Sequence, residues 1–96
     1  MSPIVDNEAR SRLEATLDGQ RAELVYRREG DRLVLVHTGV PDELEGRGIG
    51  GELVRAAIDL AAELGLTVVP ECPFASRWLR RHPEEARRVT IERPTR

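Results

Sequence analysis

The chain contains no lysine; all 15 of its basic residues are arginine. A Walker A loop, which needs Gly-Lys-Ser/Thr at its phosphates, is therefore excluded. Cys72 is the one cysteine, which rules out an intrachain disulfide framework and a thiolate zinc site. With two histidines and no acid cluster to join them, no metal site is expected. No apolar run approaches the length of a membrane span, and Met1-Ser2-Pro3-Ile4 lacks the basic and apolar regions of a secretory signal. The expectation is a cytoplasmic protein with no membrane partner. Repeats, long linkers and low-complexity tracts are missing too, so residues 1–96 are read as one domain.

What is present is the composition of a soluble globular chain, 40% hydrophobic and 33% charged. The net charge of -2 conceals a gradient, because residues 77–96 hold seven arginines against three acids while residues 1–45 hold six against ten. A basic tail of that size suits a solvated face or a phosphate. It is too small to make nucleic acid a partner.

Periodicity divides the chain. Leu13, Ala15 and Leu17 alternate with polar neighbours, as in a strand ending at Asp18-Gly19. Ala22–Arg27 is a second strand, and Arg32–Thr38 a third with apolar residues on both faces, as expected inside a sheet. Short loops between them favour an antiparallel meander. Ile49, Leu53, Ala57, Leu60 and Leu64 then follow helical spacing, with Gly65 as the stop. Leu66–Val69 is a short strand ended by Pro70. Pro73 opens a second helix, for which Phe74, Trp78 and Leu79 form the expected inward face. One more helical turn is expected within Glu84–Val89. The order is β-β-β-α-β-α, an α+β fold in which the third and fourth strands are parallel neighbours across the helix. A parallel pair in a largely antiparallel sheet tends to splay, and the splay makes a cleft.

Directly before the first helix stands Glu45-Gly46-Arg47-Gly48-Ile49-Gly50-Gly51, with four glycines in positions 46–51. The first amides of a helix lack intrahelical partners and the helix dipole favours negative charge there, so this loop suits a diphosphate held by backbone. A Rossmann loop fits poorly, because Gly39–Glu45 intervenes after the strand and the next strand ends in Pro70 rather than an acid. A plain glycine turn capping a helix and binding nothing is the alternative.

The run Glu45–Gly50 resembles the Gln/Arg-x-x-Gly-x-Gly/Ala pyrophosphate loop of the GCN5-related N-acetyltransferases. The chain is more specifically similar to small single-domain members carrying His-Thr-x-Val-Pro, then Cys-Pro-Phe and His-Pro-Glu. Here these are His37-Thr38-Gly39-Val40-Pro41, Cys72-Pro73-Phe74 and His82-Pro83-Glu84, and the resemblance runs from about Leu13 to about Val89. It departs at Glu45, where the general pattern has Gln or Arg, and at Trp78 and Glu85, where small relatives often carry Tyr.

The resemblance implies a minimal acetyltransferase fold binding acetyl-CoA in the splay, with no metal. Gly46, Arg47, Gly48, Ile49, Gly50 and Gly51 are the expected pyrophosphate loop, backbone of Thr38 and Val40 the expected partner of the pantetheine amides, and Arg77, Arg80 or Arg81 a candidate for the 3′-phosphate. Cys72 has two readings, an acyl-accepting or proton-donating thiol at the cleft, or a small residue lining it. His37 likewise reads as the base that deprotonates the incoming amine or as a hydrogen-bonded structural histidine, since alternation puts it with Leu33 and Leu35. The implied reaction is acetyl transfer to an amine, on a small molecule or a protein, by a monomer or weak homodimer. The alternative is a non-catalytic CoA-binding module.

Overall fold

The structure is a computed structural model, and it describes residues 4–94. Five strands form one sheet in chain order: β1 (Ile4–Asn7), β2 (Arg12–Leu17), β3 (Gln20–Glu29), β4 (Arg32–Gly39) and β5 (Thr67–Pro70). The first four are antiparallel neighbours. β5 returns parallel to β4 after the helix α1 (Ile49–Leu64), and is followed by α2 (Pro73–Arg81) and the single turn α3 (Pro83–Ala86). This is the expected mixed fold with one strand added. β1 is four residues at the sheet edge, too short to show alternation. It is held by pairing with β2 and by Tyr26, whose hydroxyl donates to Asp6 Oδ1 at 2.6 Å. Burial and the Asp6 carboxylate both push the Tyr26 phenol above its ordinary range.

One face of the sheet carries the core. Leu13, Leu24, Leu33, Leu35 and Val68 meet Leu53, Val54, Ala57, Ile58 and Ala61 of α1. Those five α1 side chains are fully buried, and each leucine, isoleucine or valine so buried contributes about 1.5–3 kcal/mol. Gly65 ends α1 in the left-handed conformation at φ 70°, where Leu66 N–H closes back to Ala61 O at 2.8 Å. The inward face of α2 differs from expectation. Ala75 and Leu79 enter the core, whereas Phe74 is 37% exposed and, with Trp78, turns onto the start of α1. The other face of the sheet buries Val34 and Val69 at its β4–β5 end and carries Arg12–Glu14, Arg12–Glu23 and Arg27–Glu71 ion pairs.

The parallel pair stops early. Its register runs from Arg32↔Thr67 to Leu35↔Pro70, and Cys72 N–H makes one further bond to Leu35 O at 2.9 Å. β4 continues to Gly39 with β3 on one side and, among the described residues, no strand on the other. A bulge lies in the same stretch. Val25 pairs with His37 and Tyr26 with Leu35, so Val36 is an extra residue and every side chain beyond it changes face. His37 therefore does not share the face of Leu33 and Leu35. It points to the opposite face, and Thr38 takes the core-side position.

Candidate functional site

The chain leaves β4 through Val40 and Pro41 into a 3-10 turn, Asp42–Leu44, pinned by the fully buried Leu44. It then passes through Gly46 and Gly48, whose φ values of 82° and 77° lie in the left-handed region that favours glycine. Gly48 caps α1 by receiving the Glu52 N–H at 3.0 Å. The N–H groups of Ile49, Gly50 and Gly51 have no protein acceptor among the described residues. A Cβ added at Gly46 or Gly48 would meet nothing within 4 Å, so this side of the loop faces open space.

That space is a cleft of about 570 Å³. Thr38, Gly39 and Val40 form its strand side, Leu44, Glu45 and Gly46 its loop side, and Gly48–Gly51 with Phe74 its helical side. Its volume and largely apolar lining suit a small-molecule site, and unpaired amides at a helix N-terminus suit an anion within it. Glu45 is the one ionisable side chain in the lining among the described residues. A smaller recess of about 230 Å³ adjoins the same helix start, and Gly48, Gly51 and Phe74 border both. Glu52, Arg55, Trp78 and His82 line that recess, with Arg55 Nη1 paired to Glu52 Oε2 at 3.1 Å. The Trp78 and His82 rings stack at 3.9 Å, His82 Nδ1 lies 2.8 Å from Trp78 O, and the Arg55 guanidinium sits 5.5 Å over the indole.

The expected site residues are only partly brought together. Thr38, Val40, Gly46, Gly48, Ile49, Gly50 and Gly51 line the cleft. Arg47 does not; its Nη1 donates to Asp18 Oδ2 at 2.9 Å and ties the loop to the β2–β3 turn. Arg77 is exposed on α2 and borders neither cavity, and Arg55 is the arginine beside the helix start instead. Cys72 is 3% exposed, with Sγ 3.3 Å from Thr38 Oγ1, behind the cleft wall rather than in its lining. His37 is exposed on the opposite face, and its ring has no hydrogen-bond partner among the described residues.

One relation escaped the sequence reading. A Cβ at Gly50 would lie 2.7 Å from Phe74 Cζ, and a Cβ at Gly51 would overlap Trp78 Nε1. These two glycines admit the aromatic rings of α2 against the first turn of α1. The available signal was the i, i+4 spacing of the chain's only Phe and only Trp.

Comparison with known proteins agrees with this geometry. The family model described as GCN5-related N-acetyl-transferase matches residues 12–89. The protein NATD1 of Homo sapiens is 39% identical over 64 residues, which are 66% of this chain and 57% of that one. The Gallus gallus protein NATD1 is also 39% identical, over 66% of this chain and 58% of its own length, so the chain spans under two thirds of these curated relatives. The NMR solution structure of a GCN5-like protein from Staphylococcus aureus superposes with a TM-score of 0.72 at 28% identity, covering 99% of this chain and 94% of that chain.

Proposed function

The chain belongs to the GCN5-related N-acetyltransferase family, and on that premise we propose that it transfers an acetyl group from acetyl-CoA to an amine. The observation that carries this reading is the pairing of two unsatisfied backbone elements in one cleft. The open amides of Ile49, Gly50 and Gly51 suit the pyrophosphate, and the unpaired edge of β4 at Thr38 and Gly39, continuing into Val40, suits the amides of the pantetheine arm. Gly46 and Gly48 leave the room such a ligand requires. The nucleotide end is assigned to the recess beside Arg55 and Trp78, which shares Gly48 and Gly51 with the main cleft.

Acetyl-CoA supplies an activated thioester, and the protein orients it. Direct transfer is the route that the burial of Cys72 supports, with the thiol and Thr38 hydroxyl bracing the cleft wall. A non-catalytic CoA-binding module is the second reading, favoured by a cleft whose lining, among the described residues, offers only Glu45 as an ionisable group.

Calorimetric titration with acetyl-CoA tests the assignment. Saturable binding near one equivalent is expected, and Gly48→Asp should weaken it by roughly tenfold or more, since a carboxylate then faces the diphosphate. Circular dichroism should stay native, because Asp tolerates the left-handed region better than most residues. Equal affinity in the two proteins refutes the pyrophosphate loop. Binding without turnover across an amine panel favours the module.

A further inference from the structure

Gly39 and Val40 form a wall of two cavities. One is the cleft above. The other, of about 430 Å³, is lined by Arg21, Glu23, Gly39, Val40 and Pro41. Arg21, Glu23 and Gly39 lie on the face of the sheet opposite the core, as their register shows. We propose that this second cavity is the acceptor site, and that it takes a primary amine bearing a carboxylate, as in an amino acid. The ammonium is held by Glu23 and the carboxylate by Arg21. This rests on the acetyl-transfer reading.

Three observations lead there. The Val36 bulge turns His37 onto this face. Gly39 then leaves its backbone bare between two functional groups: a Cβ there would stand 3.4 Å from His37 Nε2 and 3.8 Å from Glu23 Cγ. A side chain at position 39 would therefore stand in contact with both groups. Finally, the charges in the cavity are of both signs and unequally matched. On this face Arg12 and Arg27 are each ion-paired, whereas Arg21 makes no ion pair among the described residues. Glu23 has Oε1 engaged by Arg12 at 3.2 Å, and its second oxygen has no ion-pair partner among the described residues. A plain alkylamine would satisfy only Glu23, and a plain carboxylate only Arg21.

The chemistry balances with His37 as the base. The acceptor ammonium gives one proton to the neutral imidazole. Its nitrogen lone pair then adds to the thioester carbonyl carbon, forming the C–N bond. The C–S bond breaks as the carbonyl re-forms, and the CoA thiolate takes the second proton from nitrogen. His37 passes its proton to water. The products are the N-acetyl amino acid, CoA and one proton.

The test is an amide chemical-shift titration of ¹⁵N-labelled protein with three matched probes: L-leucine, 3-methylbutylamine and 4-methylpentanoate. L-leucine should shift the amides of Arg21, Glu23, His37, Gly39 and Val40 saturably. Removing either charge from the probe, or introducing Glu23→Gln or Arg21→Gln, should weaken binding roughly tenfold. The spectra themselves report that each variant is folded. Shifts confined to other surfaces, no saturable shift, or 3-methylbutylamine binding as well as L-leucine each overturn the proposal. A parallel acetyl-CoA titration reads the amides of residues 46–51. Silence there sinks the acetyl-transfer reading whatever the amine probes do, so the two failures are separable.

Discussion

Replacing Gly51 by alanine decides whether the second pair of glycines exists for packing. In an ordinary helical position the change stabilises, by about 0.5–1 kcal/mol, because alanine loses less conformational entropy. Here the new methyl overlaps Trp78 Nε1 and stands 3.2 Å from Trp78 Cδ1. The indole has little freedom to retreat, being stacked on His82 at 3.9 Å with Arg55 above it. Overpacking of this kind costs about 1–3 kcal/mol. The net expectation is a loss of roughly 0.5–2 kcal/mol, which moves a urea midpoint down by about 0.5–2 M at a slope near 1 kcal/mol/M. The same substitution made in a Trp78→Ala background should regain the stabilising sign, since the obstacle is gone. Urea denaturation of the four proteins of that cycle measures both effects. A higher midpoint for Gly51→Ala in the otherwise unaltered chain would refute the packing account outright.

Further expectations concern the core, the thiol and acid stability. Leu53→Ala empties a fully buried position and should cost about 2–5 kcal/mol by chemical denaturation. Iodoacetamide should label Cys72 slowly in the native protein and rapidly in urea, and rapid native labelling would place the thiol in the cleft after all. Cys72→Ala should retain acetyl transfer if transfer is direct, whereas complete loss with the fold intact would restore a covalent role. Hydrogen bonds to Glu85 from Arg88 Nη1 at 2.7 Å and Arg55 Nε at 3.2 Å hold its carboxyl below the ordinary carboxylate range. The stabilisation is therefore complete above the unfolded-state value of about 4.3 and is lost as the pH falls through the lower folded-state value. Solvent screens these half-exposed arginines, so the effect should stay below about 1 kcal/mol, and Glu85→Gln should flatten the acid limb of a stability–pH curve.

Much of the fold was legible because the period of the apolar residues changes where the elements change. Alternation marked β2 to β4, the 3.6 spacing marked α1, and Gly65 marked its end to the residue. β1 was not legible, since its stability comes from pairing with β2 and from the Tyr26–Asp6 bond rather than from its own pattern. The face of His37 was misread for a related reason. Alternation presumes an unbroken ladder, and a bulge is a property of two paired strands, invisible in either one alone. The same bulge brought Thr38 to the cleft side and, at Gly39, set the imidazole over bare backbone.

The glycine loop shows most clearly how a motif can be located in a sequence while its physical grounds are only half seen. Backbone exposure at a helix start explains Gly46 and Gly48, where positive φ and empty surroundings coincide. It does not explain Gly50 and Gly51, which sit at ordinary helical φ and are bare because Phe74 and Trp78 press against them. The two demands meet in one turn of helix. Phe74 packs on Gly50 from α2 and at the same time lines the cleft, so the contact that docks α2 also shapes the wall facing a bound ligand. A substitution at Gly50 or Gly51 thus disturbs docking and binding together, and its loss of affinity carries no information about phosphate contacts. Gly48 is the position at which the two separate. A ligand held by backbone amides should respond to Gly48→Asp beyond the modest stability lost to its positive φ, and to Gly51→Ala only in proportion to the packing lost. If Gly48→Asp kept its affinity with the fold intact, the amides of Ile49–Gly51 would not be the anchor.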